Sequence, residues 1–179
     1  MKNVFVIKTS PRKGGNSDRL ADEFIKGAIE AGNHVEEVSL TGKNIQFCRG
    51  CLTCQQTHRC VIKDDAEPIR EKMLLADVIV WATPVYYYCV SGQMKTMIDR
   101  SNPLYSMDYK FRNIYLLATA AEDDPSTVEG TVKATQGWVD CFGKATLKKV
   151  VFAGGVNSKG DIEGHSALKE AYELGKTIQ

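Results

Sequence analysis

The chain has 179 residues, 43% of them hydrophobic and 25% charged, with only 5 prolines; that suffices for one core of the usual ~100 to 200 residues and is too apolar for a disordered tail. Lys and Arg number 23 against 22 Asp and Glu, a net charge of +1, which leaves no basic footprint for nucleic acid or an anionic membrane. No apolar run approaches the ~18 residues of a membrane span, and Met1-Lys2-Asn3 leads straight into Val4-Phe5-Val6-Ile7 without a cleavage pattern, so a cytoplasmic protein with reduced thiols is expected.

In chain order, predicted strands are Asn3 to Ile7, Val35 to Leu40, Val78 to Ala82, Ile114 to Thr119 and Val150 to Ala153. All but the second are nearly continuous in apolar residues, as in parallel strands covered on both faces; Val35 to Leu40 has the polarity of an edge. Predicted helices run from Ser17 to Ala31, Ala66 to Leu75, Gln93 to Arg100, Thr127 to Phe142 and Ser166 to Lys176. Asp64 and Asp65 stand where an N-cap belongs, ahead of Pro68 in the first turn. His34 and His165, at a strand start and a helix start, read as surface or capping residues, and Cys141, beside Trp138 and Phe142, reads as core. Strands alternating with helices, without repeat or linker, predict an α/β doubly wound parallel sheet in a single domain over 1–179. Ligands bind such sheets outside the carboxyl ends of the strands, where strand order reverses.

Thr9-Ser10-Pro11-Arg12-Lys13-Gly14-Gly15-Asn16-Ser17 joins the first strand to the first helix. Hydroxyls, a guanidinium, two glycines and a helix N-terminus together suit a phosphate, because that terminus carries unsatisfied N–H donors and about half a positive charge. An ordinary βα turn with Asn16 as a cap is the plainer reading. The glycine spacing matches neither the dinucleotide fingerprint nor the Walker loop, which leaves a mononucleotide phosphate.

Ser10-Pro11-Arg12-x-x-Gly15-Asn16-Ser17, followed by Leu20, resembles the phosphate loop of the NADPH-dependent FMN reductase branch of the flavodoxin-like superfamily. The segment Thr83-Pro84-Val85-Tyr86-Tyr87-Tyr88 through Ser91-Gly92-Gln93-Met94-Lys95 to Ile98-Asp99-Arg100 is similar to that family's second flavin loop and its following helix. The resemblance covers the whole chain, with Thr9 in place of a usual Gly and Ser17 in place of a common Thr. It implies a flavodoxin-like, five-stranded sheet of order 2-1-3-4-5 in a three-layer α/β/α fold. It further implies FMN held by Ser10, Arg12, Gly15, Asn16 and Ser17 at the phosphate, and by Pro84, Val85, Tyr86 and Tyr87 at the ring system. Tyr88 and Cys89 then face a subunit partner or line the outer pocket, and Asp99 and Arg100 end a helix packed at an interface without catalytic duty.

On chemistry alone, the three tyrosines fit a flavin's need for a flat apolar wall and backbone donors, or equally core or interface packing. After the fourth strand, the small residues Ala118-Thr119-Ala120-Ala121 let a ring edge approach the backbone, or simply turn the chain; Thr119 and Ala120 are the candidates. Gly154-Gly155-Val156-Asn157, after the fifth, carries no assignment.

Cys48-x-x-Cys51-x-x-Cys54-x5-Cys60 falls in a Cys-rich loop at 47–63. Repeated C-x-x-C spacing is how iron–sulfur clusters are gripped; zinc, with His58 replacing one thiol, a redox disulfide, and simple loop packing are the alternatives. The spacing resembles the compact motif of iron-sulfur flavoproteins, which implies a 4Fe–4S cluster passing electrons to the FMN of a neighbouring subunit, although similar Cys-rich stretches also occur in plain flavin reductases.

The expected function is therefore an FMN-dependent oxidoreductase using NAD(P)H, with a small-molecule electron acceptor or a redox protein such as ferredoxin as partner, assembled as a homodimer or homotetramer. No side-chain catalyst is expected, because the cofactor carries the chemistry. A non-enzymatic electron-transfer flavoprotein and a zinc-stabilised nucleotide-binding regulator are the alternatives.

Overall fold

In the computed structural model, which describes residues 1–179, the chain enters the core at once: in β1 (Asn3–Lys8) every residue after Asn3 is buried. β2 (His34–Ser39), β3 (Val78–Tyr86), β5 (Asn113–Thr119) and β6 (Thr146–Ala153) pair with it in the order β2-β1-β3-β5-β6, all parallel, while the two-residue β4 (Cys89–Val90) pairs antiparallel with the end of β3. This is the expected five-stranded order, with β4 as an added hairpin arm. The path starts in the middle of the sheet, moves outward to β2, and returns across β1 to β3, so the reversal point lies between the carboxyl ends of β1 and β3.

Side chains alternate across the sheet because a strand has period two. Val4, Val6, Val78, Val80 and Ala82 face α1 (Asn16–Glu30) and α6 (Ser166–Lys176); Phe5, Ile7, Ile79 and Trp81 face α3 (Ala66–Leu75), α4 (Gly92–Arg100) and α5 (Glu129–Asp140). Two apolar layers thus sandwich the sheet, the second built around Trp81, Phe111, Trp138 and Phe142, whose rings meet mostly edge to face. α1 and α6 bring their backbones into close approach at two glycines. An added Cβ on Gly27 would lie 2.0 Å from the Tyr172 carbonyl oxygen, and one on Gly175 2.2 Å from that of Phe24.

Element boundaries differ from expectation where tertiary context decides. β3 runs on to Tyr86 because the β4 arm pairs with its end. β6 begins at Thr146, four residues early, as a half-exposed edge strand with a bulge opposite Ile114 and Tyr115. Pro125–Val128 forms a 3₁₀ turn in the segment expected to begin a longer helix, and α5 ends at Asp140. Cys141 consequently caps the helix on its outer side and is exposed, not core; Trp138 and Phe142 take the buried positions. His165 is an N-cap as expected, its Nδ1 accepting from the Ala167 N–H at 3.0 Å, and His34 is exposed at the start of β2. No helix is long and apolar enough to cross a membrane.

Candidate functional site

Where β1 ends, the chain turns through Ser10–Gly15 and enters α1. Ser10 Oγ accepts the Arg12 N–H and donates to the Arg12 carbonyl, both at 3.0 Å, a local turn that curls the loop. Gly14 sits at φ +64, and a Cβ on Gly15 would lie 3.0 Å from Ser10 Oγ and 3.2 Å from the Arg12 carbonyl oxygen, so only glycine leaves this space open. The N–H groups of Asn16, Ser17 and Asp18 open the helix without intrahelical acceptors, and no side chain caps them from Gly15. Ser17 Oγ is buried with no hydrogen-bond partner. A buried hydroxyl left unsatisfied costs about 1 to 3 kcal/mol, and an anion seated at this helix terminus would satisfy it together with the free N–H groups. Asp18 turns the other way, accepting the Gly14 N–H at 2.9 Å; burial raises its pKa, with the Gly14 N–H opposing.

Pro84, Val85 and Tyr86 at the end of β3, and Thr119, Ala120 and Ala121 at the end of β5, line the same cleft as Ser10, Arg12, Gly15, Asn16 and Ser17. Of the residues expected from the sequence to contact FMN, Tyr87 alone is not brought in: it tips the β3–β4 hairpin fully exposed. Tyr87 and Tyr88 have φ of +50 and +59, the paired left-handed conformations of a tight hairpin turn, where Asn-Gly is the unstrained choice. The Tyr88 hydroxyl donates to Glu122, at 2.9 Å to the nearer carboxylate oxygen, which raises its pKa and fastens the arm to the loop after β5. Gly130 allows this approach, since a Cβ there would lie 2.1 Å from the Tyr88 carbonyl oxygen.

Thr9, counted among the cradle hydroxyls on sequence grounds, points inward instead: it is fully buried, and its hydroxyl donates to the Ala82 carbonyl at 3.0 Å. Ser91, the N-cap of α4, donates its hydroxyl to the Thr9 carbonyl at 3.0 Å, accepts the Met94 N–H, and donates its own N–H to the Thr83 hydroxyl oxygen at 3.2 Å. These buried polar groups join the phosphate loop, the end of β3 and helix α4 into one unit.

The loop from Gly154 to His165, given no role by its glycines, forms the remaining wall. Val156, Asn157 and Lys159 line the cleft. Arg12 donates to the Asn157 carbonyl at 2.8 Å, and Asn16 donates to the Ser158 carbonyl at 2.8 Å while accepting the Gly160 N–H at 3.1 Å. Asp161 holds the N–H groups of Asn157 and Ser158, and Arg19 pairs with Glu163 at 2.8 Å.

The cysteine loop is pinned at both ends. Asn44 N–H donates to Asp65, Gln46 N–H donates to Asp64, and Arg100 bonds the Gln46 carbonyl, the Ile62 carbonyl and both oxygens of Asp64. Between the pins Cys48 and Cys51 are exposed, Cys60 is half-buried, and Cys54 is buried with its sulfur accepting from Asn102 Nδ2 at 3.2 Å. The short α2 (Thr53–Thr57) carries Cys54. No three His, Cys, Asp or Glu side chains converge here or elsewhere into a set that could hold a metal; as placed, the four thiols do not make a cluster cage.

The profile of the NADPH-dependent FMN reductase family matches residues 2–161. An iron-sulfur flavoprotein of Archaeoglobus fulgidus is 40% identical over 103 residues, 58% of this chain and 46% of that protein, so the match spans about half the length of that relative. An iron-sulfur flavoprotein of Methanosarcina thermophila is 28% identical over 96% of this chain and 91% of its own. Among solved structures, the NAD(P)H:quinone oxidoreductase from Methanothermobacter marburgensis superposes with a TM-score of 0.79 at 16% identity, covering 99% of this chain and 96% of that one, a likeness of fold.

Proposed function

Because the chain belongs to the NADPH-dependent FMN reductase family, we propose that it is an FMN-dependent oxidoreductase that draws electrons from NAD(P)H and delivers them to a small-molecule acceptor. The observation that carries this reading is the single cleft at the ends of β1, β3 and β5, which gathers every expected FMN contact except Tyr87. The donor set fits the cofactor: a buried orphan hydroxyl, free helix N–H groups and a glycine-lined hollow for a phosphate, then Pro84, Val85 and the small residues Thr119, Ala120 and Ala121 for a flat ring. FMN, when bound, supplies hydride and electron transfer between nicotinamide and acceptor.

The chain's own part is positional. Ser10, Arg12, Gly15, Asn16 and Ser17 hold the phosphate end, Pro84 to Tyr86 flank one side of the ring, and the buried Thr9–Ser91–Thr83 unit keeps the two loops in register. No side chain of the cleft is needed as nucleophile or proton donor, so turnover follows cofactor occupancy. The name borne by the iron-sulfur flavoprotein relatives supports Cys48, Cys51, Cys54 and Cys60 as ligands of a 4Fe–4S centre, for which the four thiols, apart in this structure, would have to draw together. The bare aromatic arm of Tyr87 and Tyr88, with Leu52 and Tyr105 also exposed, supports a homodimer or homotetramer, and a redox protein such as ferredoxin is a further candidate partner.

Anaerobic purification, an absorption spectrum, metal analysis and steady-state oxidation of NADPH and NADH with a quinone test the proposal together. Flavin bands with ordinary turnover are expected. Failure to take up FMN on reconstitution overturns it; flavin with only very slow NAD(P)H oxidation makes the chain an electron carrier. Zinc in a colourless protein assigns it to the regulator alternative.

A further inference from the structure

Resting on the FMN reading, we propose that Lys159, delivered by the loop between β6 and α6, is a second cation that faces the phosphate beside Arg12 and helps the site select FMN over riboflavin. Arg12 is the obvious candidate from the sequence; one of its five N–H donors is engaged with the Asn157 carbonyl at 2.8 Å, so it clamps this loop as well as lining the cleft. Lys159 lines the cleft with Ser10, Gly15, Asn16 and Ser17. Its Nζ donates to the Lys13 carbonyl at 3.1 Å, and it reaches so close over Gly14 that a Cβ there would lie 3.2 Å from it. An ammonium has three donors and no acceptor; one is spent on Lys13, and no carboxylate pairs with this lysine. Two donors are left unspent on a side chain that lines the same cleft as Ser17, whose Oγ is unsatisfied.

The position is built rather than incidental. Asn16 grips Ser158 and Gly160, the neighbours of Lys159 on either side, with a donated and an accepted bond. Asp161 fixes the turn by accepting from Asn157 and Ser158 at 3.0 and 2.7 Å, and Arg19–Glu163 anchors its far end. Links from Asn16 and Arg19 of α1, with the Asp161 turn, thus hold one exposed lysine at the cleft, where a dianionic phosphate gains from both the helix terminus and a full positive charge.

The test is a fluorescence titration of wild-type, Lys159→Gln and Lys159→Arg apoprotein with FMN and with riboflavin, at two salt concentrations. Lys159→Gln is expected to weaken FMN about tenfold, the scale of one charge-assisted hydrogen bond, with riboflavin unchanged, a shallower salt dependence, and recovery in Lys159→Arg. Equal losses for FMN and riboflavin, or no loss for FMN, overturn the assignment, the first by showing a merely structural lysine. Wild-type protein that binds neither flavin overturns the FMN reading itself, and this inference falls with it; the two failures are distinct.

Discussion

Arg100 and Asp64 meet in a bidentate ion pair, 2.6 and 2.9 Å long, with side-chain exposures of 1% and 0%. Arg100 closes α4, whose first residue rests on the N-cap Ser91 against the phosphate loop, and Asp64 closes the cysteine loop, so one helix spans the distance between the two candidate redox elements. Asn102, just beyond the helix, donates to Cys54 on the same side. A carboxylate left alone in this position loses the partner that offsets its desolvation. Arg100→Ala should therefore cost about 3 kcal/mol of stability, and alkylation of Cys54 and Cys60 should speed up as the loop loosens. Thermal unfolding and timed thiol labelling check both; a variant as stable as wild type with unchanged labelling would show that the loop stands without the pair.

The same pair sets a pH dependence. Burial pushes the Asp64 carboxyl up, but Arg100 and the N–H groups of Gln46 and Ala66 outweigh it and hold the pKa below the usual carboxylate value. A depressed folded pKa means that the stabilisation is complete above the unfolded value of about 4 and is lost as pH falls through the folded pKa. Denaturant midpoints measured below pH 4 should thus converge for wild type and Arg100→Ala, after differing at pH 7. A gap that persists undiminished at the lowest pH would assign the cost to lost packing of the guanidinium.

Ser17 should show opposite signs in the empty and filled protein. Without a ligand its hydroxyl is buried and unpartnered, so Ser17→Ala removes a desolvation cost and should leave stability unchanged or raise it by about 1 kcal/mol. With FMN present the variant lacks one donor to the phosphate and should bind it several-fold more weakly. Thermal melts with and without FMN separate the two effects. A loss of stability in the empty protein would mean that Ser17 serves the fold.

What the sequence made legible follows the range of the interactions. The phosphate loop and the Pro84–Tyr86 rim are contiguous segments whose residue types state their chemistry, and the apolar strands need only period and length. Lys159 is invisible in the sequence because its partner Lys13, and the Asn16 that grips its neighbours Ser158 and Gly160, lie more than 140 residues away, and the glycines of its own turn speak only of geometry. Arg100 looked like a helix-end charge for an interface, since nothing nearby in sequence announces Asp64. Thr9 shows the converse limit: a hydroxyl in a phosphate loop reads as a ligand donor, and only the neighbouring strand's Ala82 carbonyl reveals that it faces inward. Cys141 failed on helix phase, because α5 ends one residue before it.

Gly27 carries the last expectation. Glycine inside a helix ordinarily costs about 0.5 to 1 kcal/mol relative to alanine, so a glycine that nothing approaches is an opportunity for stabilisation. Gly137 in α5 is such a position, with no atom within 4 Å of its would-be Cβ, and Gly137→Ala should raise stability by that amount. Gly27 is the reverse case. Its Cβ would meet the Tyr172 carbonyl oxygen at 2.0 Å and the Lys176 amide nitrogen at 3.0 Å, both backbone atoms that cannot rotate away, so α1 and α6 must separate. Overpacking of this kind costs about 1 to 3 kcal/mol and outweighs the propensity gain, giving a net loss in Gly27→Ala. Because α1 also presents Asn16 and Ser17 to the cleft, its displacement should weaken FMN binding as well. Denaturant unfolding of the two alanine variants side by side, with FMN titrations, decides it: equal stabilisation of both would mean that α1 and α6 yield without cost.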